Sequence, residues 1–351
     1  MKNKIRLIPE FETHYGTIVM FPFRTDIWRD DARYMQEYVV KLACIISKYE
    51  PVILVCRESD ISSLAYLEKN KRIQVISLPY DDIWARDIGP TFIEVNGKTE
   101  CISWKFNAWG GKKEGSYYPW DQDDAFAERM ADFLSIPCRR IPLVLEGGAI
   151  LTDGCGTLFT TRSVLLNRNR NPFKSLDYVE GLLKESLQLE KIVWIKQGLA
   201  QDETNGHIDN LMAVVKPHEI CLAWTDDPNN PNYLRVRRAY KTLSAEYDCT
   251  IHKVPLPEQQ LMTPTESLGL VSNTNAISRN AGDLLPASYL NYYVVNNGVI
   301  VPSFGCKEDD QALDILSHVY SDRQVIQLFS HEPLLGGGGI HCILHEIPQL
   351  R

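Results

Sequence analysis

Gly336 to Glu346 read "GGGGIHCILHE", with Cys342 between His341 and His345. A thiolate is a strong nucleophile, and glycines let a backbone or ligand come close to it and offer amide donors. Three more Gly-flanked clusters carry groups that suit such a thiol: Asp87 in "WARDIGP", Glu146 in "LEGG", and His207 with Asp209 in "NGHIDN". One thiol, one histidine, one glutamate and two aspartates fit a planar cationic electrophile. A guanidinium is such a group, because carboxylates grip its fixed donors bidentately while the thiolate attacks the central carbon. A papain-like amidase needs instead an oxyanion hole for a neutral carbonyl, and its nucleophile lies near the mature N-terminus.

Each cluster taken alone has a plainer reading. A cysteine in an apolar strand is usually an inert small hydrophobe. Asp87 follows Arg86 and reads as its partner or as a turn residue, and Glu146 reads as a strand-end carboxylate reaching solvent. "GHID" reads as a strand with a solvated polar face. What weighs against these readings is recurrence, since each cluster opens a β-rich segment. If the segments are regular strands, His207 and Asp209 share one face, while His341 and His345 lie opposite Cys342. His207 is then the thiol's acid/base partner, His341 is structural, and Leu344 shares the Cys342 face and lines the site.

The elements that must position these groups recur along the chain. A β-rich segment, a turn, a second β-rich segment, an amphipathic helix and a short apolar strand follow one another five times. Helices are expected near Asp31 to Lys48, Asp124 to Leu134, Leu176 to Ser186, Tyr233 to Tyr247 and Asp309 to Tyr320. Asn96–Gly97 is a hairpin signal. The first unit, opening with "GTIVMFP", is one strand short, and the last strand is left over. Pairing the two closes the units into a ring, which removes exposed sheet edges. The alternative is an open α/β sheet with irregular insertions.

Composition narrows the function classes. The 351 residues are 44% hydrophobic and 23% charged, with net charge −8, so a large core is affordable and nucleic acid is not the expected partner, as no basic cluster appears. No apolar stretch reads as a signal peptide or membrane span. The 9 cysteines show no CxxC pair, and most, such as Cys44, Cys56 and Cys221, lie in apolar runs. That fits buried reduced thiols in a cytoplasm, with neither a disulfide framework nor a metal site.

The motifs also carry a resemblance. "PEFETHYG", "WARDIGPTF", "FNAWGG", "PWDQD", "LVLEGG", "LLNRNRNP", "DETNGHIDN", "LAWTDDPNNPNY", "ASYLNYYVVNNGVIVPSFG" and "GGGGIHC" resemble, in order, those of agmatine deiminases. These belong to the guanidine-modifying pentein superfamily, with the bacterial peptidylarginine deiminases. The resemblance implies one catalytic domain over residues 1–351, a five-bladed α/β propeller of ββαβ units closed by the C-terminal strand. It implies that Cys342 is the nucleophile, His207 the acid/base and Glu146 its helper, with Asp87 and Asp209 holding the guanidinium. It implies a cytoplasmic homo-oligomer that uses no cofactor and acts on a small cationic guanidine. Agmatine, giving N-carbamoylputrescine, is the first substrate expectation; peptidyl or free arginine is the second, and a non-catalytic polyamine-binding ring the third. Trp84, Trp109 and the pair Asp202–Glu203 are candidates, on residue type, to receive the distal amine. Two departures stand out: Gly339 replaces an asparagine, and Leu344, His345 and Glu346 replace a Thr-Gln-Gln run. The amino-terminal "IVMFPFR" also lacks the usual tryptophans.

Overall fold

The computed structural model describes residues 4–351, and the architecture is α/β, with the strands in five separate sheets. Three sheets repeat one plan: an antiparallel hairpin, then a third strand parallel to the hairpin's second. They are Ile150–Thr152, Thr157–Thr161 and Lys191–Ile195; Met212–Lys216, Glu219–Trp224 and Thr250–Pro255; and Tyr293–Val295, Gly298–Ser303 and Gln324–Phe329. A parallel return needs a crossover. Helices Leu176–Leu187, Tyr233–Glu246 and Glu308–Val319 supply it.

A fourth sheet follows the same plan with Thr91–Val95, Lys98–Lys105 and Cys138–Val144, and gains Ile5–Leu7 at its edge. Its hairpin turns at Asn96 and Gly97, both with positive φ (52° and 82°), as a two-residue turn between twisted strands requires. The fifth sheet holds Leu344–Pro348, His14–Met20, Val52–Cys56 and Ile73–Ser77 in that order. Here the antiparallel partner of His14–Met20 is the distant Leu344–Pro348. Ile5–Leu7 and Ile73–Ser77 are strands the sequence reading did not separate out.

Burial follows periodicity. Helix Arg33–Ile46 buries Met35, Tyr38, Val39, Leu42, Ala43 and Ile46 along one stripe. Val52–Cys56, flanked by a strand on each side, is buried at all its residues. All nine cysteines are free, and Cys44 is exposed rather than buried, because it falls on the outer face of its helix. Among the described residues no helix is long and apolar enough to cross a membrane.

Two segments read as strands are helical turns. "HIDN" forms the turn Ile208–Asn210 and "HCI" the turn His341–Ile343; the strands begin only at Met212 and Leu344. Strand alternation therefore does not govern where His207, Asp209, His341 and Cys342 point.

Candidate active site

Each polar cluster stands at a short helical turn that feeds a strand. Asp87 lies in Ala85–Ile88, ahead of Thr91–Val95, and Glu146 directly precedes Gly147–Ala149, ahead of Ile150–Thr152. His207 and Asp209 flank the start of Ile208–Asn210, and Cys342 lies within His341–Ile343. These turns pack against one another. Gly148 measures the closeness: a Cβ there would lie 2.7 Å from both Asp209 Oδ2 and His207 Nδ1, and 2.8 Å from Asp87 Oδ1. Three groups from two separate turns thus surround one bare stretch of backbone.

His207 is buried between carboxylates. Its Nδ1 lies 3.7 Å from Asp87 Oδ1 and its Nε2 3.4 Å from Glu146 Oε2. Burial opposes its charge, but Asp87, Glu146 and Asp209 prevail and raise its pKa to about 9. Glu146 is fully buried and receives Arg170 Nε at 2.6 Å. Burial pushes its carboxyl up, yet Arg170 and His207 outweigh that and hold it down at about 2. Asp87 accepts from Trp109 Nε1 at 2.8 Å and from Gly148 N–H at 3.0 Å. Burial raises it to about 6, against the pull of His207, and Asp209 and Glu146 add to the rise. Asp87 is not the partner of Arg86, whose guanidinium meets Glu346 at 2.7 Å.

Cys342, 6% exposed, opens into a pocket walled by Trp84, Trp109, Ile27 and Asp87. Trp84 and Trp109 meet edge to face with centroids 5.9 Å apart, and Asp82 fixes the Trp84 ring through Nε1 at 2.7 Å. Burial, then Asp209 and Asp87, push the Cys342 thiol well above its ordinary range. The thiolate is unfavoured in this setting, and a cation placed beside the sulfur would favour it.

The glycine run has a steric cause. A side chain at 336 would collide with Trp28, and one at 338 would collide with Trp84 and crowd Cys342. Gly337 (φ 104°) faces Glu203 and Arg279 at the pocket mouth. There Arg279 donates to both Glu203 oxygens, at 2.8 and 2.9 Å, and to Gly336 O at 2.6 Å.

The neighbours of Cys342 fall differently from the strand expectation. Leu344 does not line the pocket: it is fully buried in the apolar core, paired with Val19. His341 is not remote from the chemistry, since its Nδ1 lies 3.0 Å from Asp209 Oδ2. His345 stacks on Phe92 and bonds Pro90 O at 2.8 Å, away from the thiol. Three residues of this neighbourhood went unassigned in the sequence: Arg170, Glu10 and Asn291. All lie inside motifs that carry the family resemblance, but type and spacing alone give them no role. Asp202 caps the His207 loop by accepting His207 N–H at 3.0 Å; Glu203 alone of that pair reaches the pocket.

Comparison with known proteins agrees over the full length. Residues 6–348 match the Porphyromonas-type peptidyl-arginine deiminase family. A Listeria monocytogenes protein named "Putative agmatine deiminase 1" is 41% identical, covering 99% of this chain and 98% of its own. A similarly named Latilactobacillus sakei protein is 40% identical, covering 100% and 98%. The solved agmatine deiminase of Enterococcus faecalis superposes with TM-score 0.92 at 33% identity, covering 98% of this chain and 96% of that one. The chain belongs to the Porphyromonas-type peptidyl-arginine deiminase family and is a hydrolase acting on C–N bonds.

Proposed function

We propose that this protein deiminates agmatine to N-carbamoylputrescine and ammonia through a covalent intermediate on Cys342. The carrying observation is that a buried thiol and Asp87 share one aromatic-walled pocket, with His207 held between Asp87 and Glu146 and with Asp209 beside them at Gly148. The five sheets are read as blades of one ring, with the strand pair Leu344–Pro348 and His14–Met20 closing it.

In this reading Asp87 and Asp209 hold the substrate guanidinium, and its charge favours the thiolate. Sulfur attacks the central carbon to give a tetrahedral adduct. The His207 imidazolium, favoured at neutral pH by its carboxylate neighbours, gives a proton to the departing NH2 group, and ammonia leaves. An S-alkylthiouronium remains on Cys342. Neutral His207 then takes a proton from water, the oxygen adds to the same carbon, and expulsion of the thiolate releases the ureido product. Glu146, fixed by Arg170, keeps the imidazole oriented through both transfers.

Substrate choice rests on the pocket mouth. Glu203 offers a carboxylate to a distal ammonium, which agmatine has. Arg279 in the same place favours a second reading, a guanidine bearing a carboxylate such as arginine. Its Nη1 and Nη2 already donate to Glu203 and Gly336 O, which supports agmatine. Ammonia release from agmatine, free arginine and an arginine-containing peptide, compared as kcat/KM, tests this. Agmatine is expected to lead; equal or faster turnover of arginine overturns the substrate assignment.

A further inference from the structure

Four of the five sheets are entered through a turn that carries a candidate site residue. The remaining one, which contains Tyr293–Val295, is entered through Ser288 to Asn291, closed by an Asn291 N–H to Ser288 O bond of 3.3 Å. Asn291 is 2% exposed and its side chain reaches the sulfur: Nδ2 lies 3.3 Å from Cys342 Sγ. The other end of the amide is fixed, because Oδ1 accepts His341 N–H at 3.0 Å. Sγ also lies 3.5 Å from Oδ1, so a neutral thiol can give its proton to the oxygen while a thiolate accepts from the NH2.

The room for this amide comes from residue 339. A Cβ at Gly339 would collide with Asn291 Oδ1 and crowd Asn291 Cγ. The backbone at Gly339 also bonds the sulfur, in the sense that favours thiolate. Both donors act against burial and the Asp209 and Asp87 carboxylates, which favour the neutral thiol. A donor facing an ionised acceptor is roughly twice as strong as a neutral pair. Such a donor therefore favours the thiolate over the thiol, both when sulfur attacks and when it is expelled.

We propose that Asn291, seated in the space left by Gly339, is a catalytic residue that stabilises the Cys342 thiolate. This rests on the reading of Cys342 as the nucleophile, but its test needs no substrate. The rate of Cys342 alkylation by iodoacetamide is followed against pH by peptide mass spectrometry. Wild type, Asn291→Ala, Asn291→Ser and Gly339→Ala are compared, with buried Cys56 and Cys221 as internal reporters of folding. Asn291→Ala should slow Cys342 alkylation at neutral pH about 10-fold, the scale of one hydrogen bond to a charged group, and move the midpoint to higher pH. Gly339→Ala should reproduce the shift by displacing the amide, and the double variant should add little to either. Asn291→Ser keeps a short donor and should fall between. An unchanged midpoint in a variant whose Cys56 and Cys221 stay protected overturns the proposal. Failure of wild type to turn over agmatine would instead overturn the substrate reading, leaving the alkylation result intact.

Discussion

His341 bridges Asp209 and Glu10: its Nδ1 lies 3.0 Å from Asp209 Oδ2 and its Nε2 2.7 Å from Glu10 Oε2. Burial and Arg86 oppose its charge, but Glu10 and Asp209 raise its pKa to about 9. The imidazolium so formed fixes Asp209, one of the two carboxylates proposed to hold the guanidinium. His341→Ala should therefore lower kcat/KM by about 10-fold, the scale of one charge-assisted bond, and lower the melting temperature as well. His207→Ala should cost about 100- to 10,000-fold in kcat, the range of general acid–base catalysis. Steady-state kinetics with thermal melts separate the two; a larger kcat loss in His341→Ala would reverse the assignment.

Cys342→Ala should abolish turnover and leave the melting temperature within a few degrees of wild type. Cys342→Ser should also be inactive, because a hydroxyl is a poor nucleophile without ionisation. Acid-quenched wild type with agmatine should carry a covalent adduct on the peptide containing Cys342. Turnover by Cys342→Ala would end the covalent mechanism.

Asp87→Asn and Asp209→Asn each remove a carboxylate proposed to hold the guanidinium. Each should cost about 1.5–3 kcal/mol in transition-state stabilisation, read as kcat/KM. Retained kcat/KM in both variants would remove them from the substrate site.

The Arg170–Glu146 pair is fully buried on both sides. Removing one member leaves an uncompensated charge, so Arg170→Met should destabilise the fold by about 3–5 kcal/mol. Denaturant titration reads this. The double variant Arg170→Met/Glu146→Gln should recover much of the stability but not the activity, since His207 loses its carboxylate neighbour.

Two of the raised histidines, His207 and His341, give a signed pH dependence. Both His207 and His341 have folded pKa values of about 9, above the 6.5 of an ordinary imidazole. Their contribution to stability is complete below 6.5 and is lost as pH rises through 9. Glu146 acts at the other end: held at about 2 against 4.5, it stabilises above 4.5 and is lost as pH falls towards 2. Denaturant midpoints should therefore drop between pH 6.5 and 9, and His341→Gln should flatten that slope. A slope unchanged in His341→Gln would show that the imidazole is neutral in the fold.

The α/β pattern was legible because each unit alternates short apolar strands with an amphipathic helix, and the five helices fall close to where periodicity puts them. Glu146 was legible as a Gly-flanked carboxylate that opens a β-rich segment. The orientation of His341 and Leu344 was not. An apolar run after glycines looks like strand throughout, yet its first residues are wound into a turn, and one turn shifts every side-chain direction that alternation would assign. Asn291 and Arg170 were hidden for another reason. An asparagine before a strand and an arginine in an Asn/Arg-rich loop are ordinary there, and only tertiary packing brings them to Cys342 and Glu146.

The pairing of Leu344 with Val19 also has a kinetic side. Cys342 takes its place only when a strand from one end of the sequence meets a strand from the other, across every intervening sheet. A contact of such large sequence separation carries the loop-closure cost of the whole chain and forms late. The local hairpins and crossovers are able to form before it. During refolding, far-ultraviolet ellipticity should recover ahead of Cys342 protection from alkylation, and catalytic competence should be among the last properties to return.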